Sequence, residues 1–202
     1  MSESLESASE TGTMPNDATV LIVDDEKPIT DAYAQWLKDD YQVRTAYSGS
    51  EALEKLDGDV DVVLLDRRMP DLSGEDVLNE IHEQELTCRV ALVSAVEPDF
   101  DILELGFDAY LEKPVSEADE LLETVETLLR RSTYDVQMRR FLSLANKKAA
   151  LETKKSPEEL DANPEYEELT EELAELRSQL SDTATTLDDE DLRAEFYETD
   201  GQ

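Results

Sequence analysis

Asp24 and Asp25 sit side by side after the apolar run 20–23, and Asp66 follows a second such run, 62–65. Ser94 follows 90–93, and Lys113 comes just after 109–111. Three carboxylates, a hydroxyl and an ammonium at the ends of apolar runs suggest one chemistry if the fold gathers them. Crowded carboxylates must be neutralised, and an all-oxygen site suits Mg²⁺, which takes oxygen ligands octahedrally at about 2.0–2.1 Å and often bridges to phosphate. Softer metals want imidazole or thiolate, and the chain has one histidine, His82, and one cysteine, Cys88. Lys113 could reach an acid or a phosphoryl oxygen, and Ser94 could donate to that oxygen. With the charge neutralised from several sides, Asp66 is free to act as nucleophile and become an aspartyl phosphate. The plainer alternative is an acidic turn cluster salt-bridged to Lys113.

Gathering these groups requires an open parallel sheet, whose ligands bind outside the carboxyl ends of the strands where strand order reverses. Apolar runs predict strands near 19–24, 41–45, 62–65, 90–93 and 109–111. Helices alternate with them. Pro28 opens one, with Ile29, Ala32, Tyr33, Trp36 and Leu37 inward and Trp36 as a core anchor. Ser48 and Glu51 form a capping box for a second helix. A third carries Val77, Leu78 and Ile81 inward, with His82 beside that face as a solvated or partly covered imidazole. A weakly patterned helix is expected over 98–104. Ser116 caps a last one, with Leu121, Leu122, Val125, Leu128 and Leu129 in a stripe. This rhythm predicts an α/β domain with a five-stranded, doubly wound parallel sheet, closing near Arg131.

Beyond Ser132 the strand signal stops. Tyr134, Met138, Phe141, Leu142, Ala145 and Ala149 are expected to line one helical face to about residue 152. Tyr166, Leu169, Leu173, Leu176 and Leu180 recur at steps of three and four, a seam of about two heptads. That is short for an isolated coiled-coil dimer, so the expectation is an all-α helical hairpin, with dimer contacts besides. A short amphipathic piece with Leu192 and Phe196 precedes an acidic end. The predicted layout is a disordered acidic segment over 1–17, the sheet domain over 18–131, the helical domain over 132–198 and a tail over 199–202.

The 202 residues carry 52 acids against 18 bases, a net charge of −34. Nucleic-acid binders usually lean the other way. A halophilic cytosol accounts for the excess, because at molar salt the Debye length falls to about 3 Å and like charges hardly repel. One cysteine permits no internal disulfide and suits a reducing cytoplasm. No apolar run approaches the ~20 residues that span a bilayer, and no signal-peptide pattern is present. Met14 is an alternative start to Met1.

Val23-Asp24-Asp25-Glu26, Leu65-Asp66 with Met69-Pro70-Asp71 and Gly74, Ser94-Ala95, and Asp108-Ala109-Tyr110-Leu111-x-Lys113-Pro114 together resemble the receiver domain of two-component response regulators. The resemblance covers about 18–131 and implies the flavodoxin-like fold. It implies that Asp66 accepts a phosphoryl group from a sensor histidine kinase. It also implies that Asp25 binds Mg²⁺ directly and Asp24 largely through water, with the backbone carbonyl of Arg68 as a further ligand. Ser94 and Lys113 would contact the phosphoryl group. Tyr110 would be the aromatic switch that turns inward with Ser94, remodelling a face for a partner or a homodimer. Arg67-Arg68 directly after the acceptor is less typical, and both are expected as solvated arginines in nearby salt bridges.

The part from Tyr134-Asp135 through Phe141-Leu142-x-Leu144-Ala145 and Lys147-Lys148 to Phe196 looks like the HalX domain, found behind receivers in halophilic archaea. Residues 130–155 hold eight of the eighteen bases, Arg139, Arg140, Lys147 and Lys148 among them. They could contact DNA phosphates or a protein partner, or pair internally with the acids of 165–175. No helix-turn-helix pattern is present. The leading expectation is therefore a response regulator with transcriptional output, not an enzyme. Alternatives are a phosphorylation-controlled interaction or dimerisation adaptor, an adaptor whose receiver has lost phosphorylation, and an Mg²⁺-dependent aspartate phosphohydrolase. The phosphohydrolase chemistry wants two acids one residue apart on the first strand, whereas Asp24 and Asp25 are adjacent. The absence of Gly-x-x-x-x-Gly-Lys excludes a P-loop NTPase.

Overall fold

In a computed structural model, residues 17–98, 100, 102 and 105–196 are described, the side chains of 186–196 excepted. β1 (Thr19–Val23) is buried at all five positions and β3 (Val62–Leu65) at all four. Val, Leu and Ile suit a strand covered on both faces. β4 (Arg89–Ser94) lies beside β3, while β2 (Gln42–Ala46) and β5 (Ala109–Glu112) form the edges. The edges carry Arg44, Thr45 and Glu112, as half-covered strands can. All pairings are parallel and the order is β2-β1-β3-β4-β5, the doubly wound arrangement the sequence predicts. Strand order reverses between β1 and β3, which pair with Val23 opposite Leu65. The next residues along each strand, Asp24 and Asp66, therefore emerge side by side at the switch point.

α1 (Lys27–Leu37) starts with Pro28 in its first turn and buries Thr30, Tyr33 and Leu37. Trp36 is only half-buried, tilted against Tyr33 at 5.5 Å, so it covers the flank of the core rather than anchoring its centre. At α2 (Gly49–Lys55) the Ser48 Oγ accepts from Glu51 N–H, but the Glu51 carboxylate accepts from Tyr47 N–H instead of closing the box on Ser48. A complete box appears at α3 (Gly74–Glu83), where Ser73 and Asp76 cap each other reciprocally, a signal not recognised in the sequence. Val77, Leu78 and Ile81 face the core as expected. His82 is exposed, with Nε2 3.0 Å from the Gly106 carbonyl. Among the described residues no α-helix lies between β4 and β5, and part of the helix expected over 98–104 falls outside them.

α4 (Ala118–Lys154) buries Leu121, Val125 and Leu128, then runs on without the break expected near Arg131. Its 37 residues include neither Pro nor Gly. Thr133, a weak helix former, is accommodated by donating its hydroxyl to Leu129 O at 3.0 Å. α5 (Pro157–Asp161) is capped by Ser156 with Glu159, and α6 (Pro164–Phe196) continues through the stretch expected as a separate amphipathic piece. The side chains of Leu192 and Phe196 lie outside the described set.

The chain divides into two compact units between Leu128 and Leu129. Within the second, α6 folds back along α4. Gln137 faces Gln179, Arg140 faces Glu172 and Glu152 faces Tyr166, an antiparallel hairpin as expected. Leu144, Leu173 and Leu180 fill its seam. Leu142, expected inside, is 53% exposed, because the packed face is centred on Leu144 and turns Leu142 and Ala149 outward. Among the described residues no helix is long and apolar enough to cross a membrane.

Candidate functional site

Asp24 continues the β1–β2 ladder by donating its N–H to Ala46 O at 3.1 Å. Its Oδ1 accepts from Glu26 N–H at 2.9 Å, and its own carbonyl accepts from Thr30 Oγ1 at 2.9 Å. These bonds hold a carboxylate that is only 2% exposed. Asp25, one residue on, is exposed. Asp66 donates its N–H to Val23 O at 2.8 Å, which docks the end of β3 against β1. One carboxylate oxygen from each of Asp24, Asp25 and Asp66 lies within 4.8 Å of the others.

Lys113 joins them. Its N–H donates to Ser94 O at 2.9 Å beyond β5, and its ammonium lies 2.7 Å from Asp24 Oδ2 and 3.3 Å from Asp66 Oδ1. Its side chain is 8% exposed. Three carboxylates against one ammonium leave two negative charges over, the charge of one divalent cation. Hard oxygen donors with this surplus fit Mg²⁺. Burial raises the Asp66 carboxyl above the ordinary carboxylate range; Lys113 opposes that rise and Asp24 adds to it. Burial would lower the Lys113 ammonium, but its bonds to Asp24 and Asp66 outweigh this and raise it, so it stays charged.

Ser94 is buried, and its Oγ accepts from Val96 N–H at 3.3 Å. The Tyr110 hydroxyl donates to the carbonyl of the same Val96, with its half-buried ring 5.9 Å from Phe107. One backbone residue thus links Ser94 and Tyr110.

The loop after the acceptor is held from beneath. Arg68 is exposed, and its backbone N–H donates to the Asp66 carboxylate. Arg67, expected solvated, is 7% exposed and pairs with Glu75 in the first turn of α3 at 2.8 Å. Gly74 donates its N–H to Arg67 O, and a Cβ there would sit 2.3 Å from Asp66 O. Neither Thr30 nor the Arg67–Glu75 pair stands out in the sequence. Thr30 looks like a polar break in the α1 stripe, and arginine is rarely buried unless paired.

The basic candidates of the helical unit do not act as one group. Arg139 and Lys147 are exposed. Arg140, also exposed, pairs with Glu172 at 2.9 Å. Lys148 is half-buried, 2.5 Å from Glu152 and over the Tyr166 ring at 5.7 Å, so it serves the hairpin seam.

The response regulator receiver domain model matches residues 20–126. The chain belongs to the response regulator receiver family. Behind the receiver, the HalX domain model matches residues 130–196. A Haloferax volcanii protein carrying a provisional transcriptional-regulator name is 54% identical over 135 residues, 66% of this chain and 23% of that protein. Response regulator SaeR of Staphylococcus epidermidis is 37% identical over 117 residues, 56% of this chain and 51% of that protein. The chain thus spans between about a quarter and half the length of these relatives. Among solved structures, a CheY-like receiver from Methanospirillum hungatei superposes with TM-score 0.54 at 28% identity, covering 58% of this chain and 98% of the other. A receiver from Clostridium thermocellum gives 0.52 at 30%, covering 57% and 97%.

Proposed function

We propose that this chain is a phosphorylation-controlled response regulator of a two-component system, with Asp66 as the phosphoryl acceptor and a sensor histidine kinase as donor. The observation that carries the reading is the Lys113 ammonium bridging Asp24 and Asp66 inside a three-carboxylate cluster at the switch point of the sheet. An Asp66 carboxylate oxygen attacks the phosphorus of a phosphohistidine. The P–N bond breaks as the P–O bond forms, and the imidazole leaves with the electron pair. Asp24, Asp25 and Asp66, with the Arg68 carbonyl, would hold Mg²⁺, which when bound offsets charge on the phosphoryl oxygens. Lys113 supplies the protein's own cation, freed from Asp66 to meet a phosphoryl oxygen. Ser94 Oγ turns from Val96 N–H to donate to that group. Tyr110, tied to the same residue, follows it inward, which biases the receiver between two states.

The chain is an acceptor and switch in the cytoplasm rather than an enzyme with a separate substrate, and the helical domain delivers transcriptional output. An adaptor that works by protein association is the second reading. It is favoured by Val136 and Leu142, apolar side chains about half exposed on the helical unit. The test is incubation of the full chain in molar KCl with Mg²⁺ and a small phosphodonor such as acetyl phosphate. Phosphate-affinity electrophoresis should reveal one slower band, absent with Asp66→Ala and with EDTA. A slower band that survives Asp66→Ala removes the assignment.

A further inference from the structure

Arg67 directly follows the acceptor, yet its side chain is only 7% exposed and is held by Glu75. Its Nε donates to Glu75 Oε1 at 2.9 Å, and its Nη2 lies 2.8 Å from the same oxygen. The backbone repeats the tie, because Gly74 N–H donates to Arg67 O at 3.0 Å. Residue 67 and the first turn of α3 are thus joined by side chain and main chain alike, which closes the loop from Arg68 to Ser73 at its base. At the start of that loop Arg68 turns its backbone N–H to the Asp66 carboxylate and its side chain to solvent.

Stability does not account for a buried arginine here. Replacing a buried ion pair by apolar side chains of similar volume is often neutral or stabilising. What the pair supplies is geometry, since a planar guanidinium can send two N–H groups to one oxygen only from a narrow range of positions. Glu75 gives it a fixed point. It sits in the first turn of α3, where the helix dipole favours a carboxylate, beside the reciprocal Ser73–Asp76 cap. Molar salt leaves this contact in place, because partly buried pairs are screened much less than exposed ones.

We propose that Arg67 is a positioning residue: clamped to Glu75, it fixes the Arg68 backbone against the Asp66 carboxylate and so raises the affinity of the acceptor site for Mg²⁺. The guanidinium acts through the loop. With the clamp released, the loop must be ordered again whenever the metal binds, and that ordering is subtracted from the affinity. The inference rests on the proposed reading of Asp66 and the Arg68 carbonyl as metal ligands, but the clamp itself can be measured without metal or phosphate.

The test has two readouts on the full chain in molar KCl. Hydrogen exchange of the 66–74 peptide in EDTA reports the clamp, and calorimetric titration with Mg²⁺ reports its consequence. Arg67→Met keeps much of the buried volume and removes the N–H donors. It should melt near the wild type, yet exchange about tenfold faster in 66–74 and bind Mg²⁺ about tenfold more weakly, equivalent to about 1.4 kcal/mol. The half-saturating Mg²⁺ concentration for phosphorylation by acetyl phosphate should rise by the same factor. Arg67→Lys keeps the charge without the planar fork and should recover only part of both effects. Glu75→Gln, at a side chain 41% exposed, keeps an acceptor oxygen and loses the charge, so it should fall between wild type and Arg67→Met. Wild-type exchange in both Arg67→Met and Glu75→Gln overturns the proposal. So does faster exchange at unchanged Mg²⁺ affinity, which would make the pair purely structural. If Arg67→Met does not fold, Glu75→Gln decides, and wild-type exchange and affinity in that variant overturn the proposal. A wild type that binds no Mg²⁺ overturns the proposed function and the affinity half of this inference with it, while exchange in EDTA still decides the clamp.

Discussion

Asp66 is poised at a cost to the fold. Burial raises its carboxyl, so the folded chain binds that proton more tightly than the unfolded chain does. The stabilisation from the bound proton is complete below the unfolded value of about 3.9 and is lost as pH rises through the raised folded value. At neutral pH without Mg²⁺ the ionised carboxylate therefore opposes folding. Asp66→Asn should melt higher than the wild type at pH 7 in EDTA, and the gap should close as pH falls below about 4. Calorimetry at matched salt checks this; a variant that melts lower at pH 7 refutes it. Mg²⁺ should act in the same direction on the wild type, by about 2.7 kcal/mol at a hundred times its Kd. In Asp66→Asn, where one of the three acids has become neutral, the gain should be much smaller.

At the level of elements, the acceptor loop depends on how closely α3 approaches the end of β3. A Cβ on Gly74 would lie 2.3 Å from Asp66 O and 3.0 Å from Arg67 Cα, both backbone atoms of the loop to be displaced. Gly74→Ala should destabilise the receiver by about 1–3 kcal/mol, the usual range for overpacking. It should also weaken Mg²⁺ binding by shifting Asp66. Chemical denaturation and a Mg²⁺ titration of tyrosine and tryptophan fluorescence measure the two effects. Unchanged Mg²⁺ affinity would mean the loop adjusts without moving the carboxylate. In the hairpin, Leu173 is buried against α4, and Leu173→Ala should cost about 2–5 kcal/mol of that unit's stability. Limited proteolysis should then cut beyond residue 129 well before it cuts the receiver.

For the whole molecule, net charge dominates. With −34 on 202 residues, self-repulsion is strong wherever ions do not screen it. Dialysis from molar KCl to about 0.1 M, where the Debye length grows from about 3 to about 10 Å, should lower the melting temperature steeply. A fold indifferent to that change would refute the halophilic reading. The two compact units give this prediction a second readout. The receiver packs Leu21, Leu64 and Leu92 into an extensive buried core, whereas the hairpin relies on a narrow seam of residues such as Leu144, Leu173 and Leu180. As salt falls, the hairpin should melt first.

The apolar runs and the polar groups at their ends made the sheet and its acidic rim legible in the sequence. A buried parallel strand must be nearly continuous Val, Leu and Ile, and the residues just past its carboxyl end must lie at the ligand-binding edge. Local spacing is enough for that, and it carried Asp24, Asp25, Asp66, Ser94 and Lys113. Long-range packing decided the rest. Whether Arg67 lies in water or against Glu75, whether Leu142 or Leu144 fills the seam, and whether a helix pauses at Ser132 are questions of which neighbour arrives from far along the chain. Lys147 and Lys148 are adjacent in sequence yet have different roles. About 100° of helical turn separates them, and only the fold-back of α6 determines which one gains Glu152 and Tyr166 as neighbours.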